Sequence, residues 1–459
     1  MGAKKLKNKI IILVIAFCMV STSTIITAEK TNKNISSNNS IFETKEGDVI
    51  SEIIEQIDQE MMLNYIEDLV EIANKYDVSR LTGTEGCEEA RDYILDELFD
   101  MGYNPKILDW AREGIIPPYK HLLFVSENIE AAIPGKGDSN QIIVLMAHYD
   151  TTSITPSADD NSAGVAAVLS AAKAMSNYDF NHEIRFLLVS GEEEGLLGSS
   201  SYAQNSYETC ESIVNVVNLD MIGYSSPDIE GDENKIRVYE TCSEKITSEV
   251  VDICRNPDYS QLLDFQVIAS DDDTGHVSDQ RSFCEEGFNS IFIHEYTWND
   301  NKDTGTDTIE NMDVEYATRA ARLATAVVAS YGLKPILDNN PPESPSKVEG
   351  PDESEINKEL SYQTQTTDPD GDQVYYMFDW DDGTHSEWLG PYESGETCTA
   401  THTYTKEGEY RVKAKAKDTY DVQSSWKRSE ENMRLELMFL RNILNNFPFL
   451  QKILINYLS

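Results

Sequence analysis

The sequence predicts an α/β fold, a doubly wound and mainly parallel sheet flanked by helices, followed by a small all-β sandwich. Three observations carry this. From Gln141 to Tyr331, apolar runs of strand length alternate with segments of helical periodicity. The runs Ile142 to Met146 and Phe186 to Val189 have almost no polar interruption, as in strands covered on both faces. Beyond Pro341-Pro342 the pattern changes to short alternating runs broken by turns, such as Val374 to Trp380 followed by Asp381-Asp382-Gly383-Thr384.

Residues 1–28 read as a signal peptide, with an uncleaved anchor as the alternative: Lys4, Lys5, Lys7 and Lys9 precede an apolar run from Ile10 to Val20, too short to span a bilayer comfortably, and small and hydroxyl residues lead to Ala28. Export to a secreted or extracellular location follows. Residues 29–52, rich in Asn, Ser and Lys, are expected to be a flexible leader. The α/β domain then occupies 53–335. Its helices are expected at Ile53 to Tyr76, Cys87 to Met101 (closed by Gly102), Ala163 to Met175, Gly195 to Gln204, Lys245 to Cys254 and Val314 to Tyr331. Its strands are expected at Gln141 to Ala147, Glu183 to Ser190, Ile213 to Leu219 and Asn289 to His294. A Pro-rich linker at 336–346 separates it from the sandwich at 347–429. Residues 430–459 form an apolar tail interrupted by Pro448, read as an amphipathic segment for docking or for contact with a cell or membrane surface.

Of 459 residues, 81 are acidic and 37 basic, a formal charge of −44. Such a chain repels polyanions, so nucleic acid is excluded as a partner. Without the N-terminal segment, Cys87, Cys210, Cys242, Cys254, Cys284 and Cys398 remain, and in an oxidising compartment one or two disulfides of open pairing are expected. No pair has the spacing of a thiolate metal site.

The acids that end apolar runs stand out from the solvated majority. His148 and Asp150 close one strand, Asp159 and Asp160 open the following helix, Glu192, Glu193 and Glu194 close a second strand, and Asp220 closes a third. In isolation Asp159 and Asp160 serve equally as helix caps, Asp220 as a turn residue, and three adjacent glutamates as surface. Gathered at the carboxyl edge of one sheet, an imidazole and several carboxylates supply the donors that a divalent metal takes.

Here the chain resembles a known family. Ala147-His148-Tyr149-Asp150, Ala158-Asp159-Asp160-Asn161-Ser162-Ala163-Gly164, Gly191-Glu192-Glu193-Glu194-Gly195-Leu196-Leu197-Gly198-Ser199 and Asn218-Leu219-Asp220-Met221 are similar to successive motifs of the co-catalytic zinc aminopeptidases, relatives of the glutaminyl cyclases. Arg80 to Gly86 and Asp307 to Asn311 also match. The resemblance implies a two-metal aminopeptidase acting on peptides or proteins with free N-termini. His148 and Asp220 would hold one ion, Asp160 would bridge, Glu193 would hold the second, Glu192 would be the general base toward a metal-activated water, Asp150 would orient His148, and Glu194 would be left at the surface. The family's last histidine ligand is replaced by Asp303, so zinc at that position competes with manganese or another harder ion. His294 is a candidate substitute, and Gln280 stands where relatives carry histidine. Alternative readings are a cyclase-type acyltransferase and a binding homologue impaired by Asp303. The sandwich resembles the polycystic-kidney-disease-type repeat through Phe378 to Thr384 and His402 to Gly408, and Asp368, Asp370 and Asp372 offer a calcium site.

Overall fold

The computed structural model describes residues 46–435, apart from 137–138, 210, 240–243, 271–277, 336–340, 352, 421, 425 and 429–432. The expected signal peptide, the leader up to 45, most of the linker, and the tail beyond 435 lie outside the described residues.

The first periodic segment is two helices, α1 (Glu46–Ile54) and α2 (Gln59–Lys75). Asp58 divides them: it is extended, and its carboxylate accepts the Met61 N–H at 2.8 Å as the cap of α2. Thus α1 takes up the last part of the stretch expected to be leader, because Ile50, Ile53 and Ile54 are buried in the main core. Helix α3 (Glu85–Asp100) ends before Gly102, whose φ of +91° suits glycine. Strands β1 (Lys106–Glu113) and β2 (Leu123–Ile133) then form an antiparallel hairpin absent from the sequence expectation. Most of β1 is exposed and charged residues interrupt it throughout, so no apolar run marks it.

The remaining elements are β3 (Gln141–His148), α4 (Gly164–Met175), β4 (Glu183–Val189), α5 (Leu197–Glu208), β5 (Ser212–Leu219), β6 (Lys235–Tyr239), α6 (Glu244–Arg255), α7 (Ser260–Leu263), β7 (Gln266–Ser270), α8 (Gln280–Glu285), β8 (Ser290–Glu295) and α9 (Val314–Leu333). They build an eight-stranded sheet of order β1-β2-β4-β3-β5-β8-β6-β7. Its centre, β4-β3-β5-β8, is parallel, and β2 and β6 join antiparallel on either side. Along β3, Ile143, Leu145 and Ala147 face the core that holds α4, whereas Ile142, Val144 and Met146 face the core that holds Tyr202 and Ala203 of α5. That two-sided burial is what the uninterrupted apolar run predicts. The chain leaves β3 through α4 to β4 on one side, then crosses through α5 to β5 on the other. The end of β3 is therefore a topological switch point, where α/β sheets open a crevice.

The C-terminal sandwich contains β9 (Glu353–Ser354), β10 (Glu359–Gln365), β11 (Val374–Asp379), β12 (Leu389–Tyr392), β13 (Thr397–Thr403), β14 (Gly408–Tyr410), β15 (Lys413–Asp418), β16 (Lys427–Arg428) and β17 (Met433–Leu435). Trp380 stacks on Phe378 at 5.3 Å and on His402 at 4.7 Å, centring its core. The first described residues of the expected tail, β17, pair with β14 and β9 and so extend the sandwich. The sandwich rests on the α/β domain through buried Lys415, whose Nζ donates to the Gly287 carbonyl and to Gln423 Oε1, each at 2.8 Å. Tyr207 of α5 also donates to Asp379 at 3.2 Å. Cys284 is disulfide-bonded, while Cys87, Cys254 and Cys398 are buried free thiols. Among the described residues no helix is long and apolar enough to cross a membrane.

Candidate metal centre

Each predicted acid sits just beyond a central strand, and the fold brings them to the switch point. His148 ends β3 fully buried, with Nε2 3.4 Å from Asp160 Oδ1 and 3.4 Å from Asp220 Oδ1. Its Nδ1 lies 3.2 Å from the Asp150 backbone carbonyl. A carbonyl only accepts, so Nδ1 carries a proton, and Nε2 is the nitrogen that faces the two carboxylates and that a cation would take in place of its proton.

Asp160 lies in the kinked turn Ala158–Ala163, at a non-helical φ of −105° and ψ of 89°. Asp307 fixes that turn by accepting the N–H groups of Asp159 and Asp160 at 2.9 and 3.1 Å. Asn161 ties it to the end of β5 by donating to the Leu219 carbonyl at 2.9 Å. Asp220 follows β5, and its Oδ2 accepts the Ser278 hydroxyl at 2.6 Å.

The three glutamates turn between Gly191 (φ +81°) and Gly195 (φ +116°), left-handed positions that other residues rarely adopt. Asp150, expected to orient His148, faces its Nδ1 with the backbone carbonyl at 3.2 Å and with Oδ1 at 3.6 Å. Its carboxylate also accepts the N–H groups of Glu192 and Glu193 at 3.3 Å each and the Thr82 hydroxyl at 3.0 Å. One residue therefore sets both the imidazole and the acid turn. Arg80, buried beneath, donates to the carbonyls of Tyr149 and Leu69 at 2.9 Å each.

The donors form two groups sharing Asp160: His148, Asp160 and Asp220, then Asp160, Glu193 and Asp303, each with its donor atoms within 4.8 Å of one another. His148 Nε2, Asp220 Oδ1, Glu193 Oε1 and Asp303 Oδ1 are buried and have no hydrogen-bond partner. Buried polar atoms are normally satisfied, so orphans clustered this way fit a cation. Ligand atoms about 2.1 Å from a tetrahedral ion stand about 3.4 Å apart; His148 Nε2 has that spacing to Asp160 and to Asp220.

Burial opposes a charge on His148, but Asp220, Asp150 and Asp160 outweigh it and raise its pKa well above the usual value. Burial pushes Glu192 well above the carboxylate range, against the opposing pull of His148 and with Asp220 and Asp279 adding to the rise. Glu193 is raised likewise, by burial, Asp160 and Glu192. Carboxylates held this far from their ordinary ionisation are the environment in which a divalent cation replaces protons.

Some expectations need correction. Glu194 is not at the surface: it is fully buried, and burial together with the Asp150 carboxylate lifts it to about 8. His294 does not substitute as a ligand; its Nδ1 faces the Glu295 carbonyl at 2.6 Å and its ring stacks on Trp298 at 5.1 Å, outside both donor groups. Gln280 lies beneath the site, where its Oε1 accepts from Asn218 at 3.3 Å. Lys302 was not foreseen: its Nζ stands 3.7 Å from Asp160 Oδ2 and 3.5 Å from Asp303 Oδ2. Burial works against its charge, but Asp160 and Asp303 outweigh that and keep the ammonium protonated. In sequence, a lysine between Asn301 and Asp303 reads as solvated loop.

Fold and site define an α/β protein that gathers a metal-type donor set at the carboxyl edge of its sheet. The family model "Peptidase family M28" matches residues 128–328, and the model "PKD domain" matches 348–429. The chain thus carries a peptidase family M28 domain followed by a PKD domain. It is 24% identical over 341 residues to a "Probable zinc metalloprotease" of Pyrenophora tritici-repentis, covering 63% of this chain and 78% of that one. It is 30% identical over 197 residues to "Aminopeptidase YwaD" of Bacillus subtilis, covering 41% of this chain and 40% of the relative. The chain thus spans less than half the length of that second relative. The crystal structure of the Legionella pneumophila LapA aminopeptidase shares the fold, with a TM-score of 0.53 at 19% identity, covering 65% of this chain and 78% of that one.

Proposed function

We propose that the chain is an exported metallo-aminopeptidase that removes N-terminal residues from peptides and proteins. The observation that carries this reading is the convergence of His148, Asp160, Asp220, Glu193 and Asp303, with orphaned donor atoms, at the switch point of the sheet. The relatives named as zinc metalloprotease and aminopeptidase support zinc and the reaction class. His148, Asp160 and Asp220 would hold one ion, and Asp160, Glu193 and Asp303 the place of a second, where an all-oxygen set also suits manganese. Divalent ions bound there would lower the pKa of a water and polarise the scissile carbonyl.

The chain's own residues do the rest. Glu192 takes a proton and returns it to the leaving amine, held in place because Asp150 binds the backbone on either side of its side chain. The acidic rim offers a counter-charge to the free α-amine of the substrate. Purified secreted protein should release p-nitroaniline from leucine p-nitroanilide, lose that activity to a chelator and regain it with zinc. If an unblocked N-terminal Gln peptide were instead cyclised without amine release, the acyltransferase reading would replace this one.

Export rests on the N-terminal segment at 1–28, and we assign cell-surface contact to 436–459. Recovery of the full chain only in the cytosolic fraction would refute export, and equal release of chains with and without 436–459 into the medium would remove the tail's role.

In the PKD domain, Asp368, Asp370 and Asp372 are proposed to hold calcium. Asp368 is buried, its Oδ1 accepts the N–H groups of Asp370 and Asp372 at 2.9 and 3.2 Å, and its Oδ2 has no partner. Calcium should raise the unfolding temperature of the wild type and leave that of Asp368→Asn unmoved; equal responses would dispose of the site.

A further inference from the structure

We propose that Lys302 is a built-in competitor for the second cation position, so that the centre keeps one divalent ion tightly and admits another only by pushing this side chain aside. The inference rests on the metal-centre reading above. It deepens that reading by making the two positions unequal.

The Lys302 ammonium lies 3.7 Å from Asp160 and 3.5 Å from Asp303, two of the three acids in the second donor group. The first group meets this ammonium only through the far oxygen of the shared Asp160, whose Oδ1 faces His148, itself a donor. Lys302 is also placed by its surroundings. Its Nζ sits 4.7 Å from the centre of the Trp298 ring, a cation–π contact. Its backbone N–H donates to the Asn299 carbonyl at 3.2 Å, and the Asn299 side chain donates to Asp159 Oδ2 at 2.8 Å. The loop that carries Lys302 is therefore anchored to the same turn that presents Asp160.

Asp303 follows at a φ of +59°, which turns the two neighbouring side chains toward one group of acids. A divalent ion entering among Asp160, Glu193 and Asp303 would meet a like charge at short range and would have to take two carboxylates from it. Nor does that group contain an imidazole to offset the loss. At the His148 position Lys302 touches one ligand, the shared Asp160, instead of two, and an imidazole is present.

Full-length protein stripped by a chelator and titrated with zinc alone, read by native mass spectrometry, tests this directly. One ion should load first, and the second should need roughly 100-fold more zinc, the scale of two opposed charges at partly buried positions. In Lys302→Met the second affinity should rise to within about 10-fold of the first, and the first, which meets Lys302 only through the shared Asp160, should not weaken, which also reports that the variant is folded. Lys302→Arg should keep the separation. Two ions of equal affinity in the wild type, or an unmoved second affinity in Lys302→Met, would overturn the proposal while leaving the metal centre standing. Failure to bind any zinc would overturn the metal centre itself and this inference with it.

Discussion

Glu192→Gln should lower kcat by roughly 10³-fold, within the range a general base supplies, while metal content and thermal stability stay at wild-type values. Glu192 belongs to neither donor group, so its amide leaves His148, Asp160, Asp220, Glu193 and Asp303 in place. The backbone of the turn is held through the Glu192 and Glu193 N–H groups by Asp150, and between Gly191 and Gly195, and none of those contacts uses the Glu192 carboxylate. What the substitution removes is the ability to accept a proton. Matched steady-state kinetics and metal analysis check this. A variant with normal metal content that keeps more than a tenth of wild-type kcat would place the base elsewhere. Glu193→Gln makes the contrast, because Glu193 Oε1 is an orphaned donor of the second group, and its loss should show as weaker metal binding.

Why Glu192, Glu193 and Glu194 differ is a matter of backbone that their sequence hides. The apolar runs ending at His148, Val189 and Leu219 announce the central strands, and the acids beyond them were legible as a group because strands of a parallel sheet end on a common edge. The same reasoning treats Glu194 as a third, spare acid, whereas the turn folds it inward, to full burial beside Asp150. Hydrophobic pattern also failed where strands are half-exposed or short: β1, β6 and β7 lie toward the edges of the sheet, where little burial is required.

Lys302 and Asp307 were illegible for another reason. Their positions depend on how the loop after β8 folds back over the Ala158–Ala163 turn, through Asn299 to Asp159 and Asp307 to the Asp159 and Asp160 N–H groups. No local periodicity records a loop-to-loop contact spanning 148 positions. The substitution of aspartate for histidine at Asp303 was visible in the sequence. The ammonium beside it, which alters what that substitution means, was not.

Asp160→Asn should abolish tight metal loading at both positions and lower activity at least as far as Glu192→Gln does, yet leave the metal-free protein as stable as the wild type or more so. Asp160 is the member common to the two donor groups, so removing its charge weakens both at once, where changing Asp220 or Glu193 would weaken one. Its N–H is already held by Asp307 at 3.1 Å, which an asparagine backbone retains, so the turn itself should persist. Without a cation, the four acids of the two donor groups lie together with Lys302 and His148, and neutralising one relieves repulsion even as it loosens two ion pairs. Zinc at 1,000 times its Kd stabilises a folded protein by about 4 kcal/mol, worth roughly 8 °C in the unfolding temperature of a domain of this size. The wild type should show a rise of that order on zinc addition and Asp160→Asn little or none, measured by scanning calorimetry with and without the metal. An undiminished zinc response in the variant would mean that Asp160 is not the shared ligand, and the two donor groups would then have to be treated as separate sites.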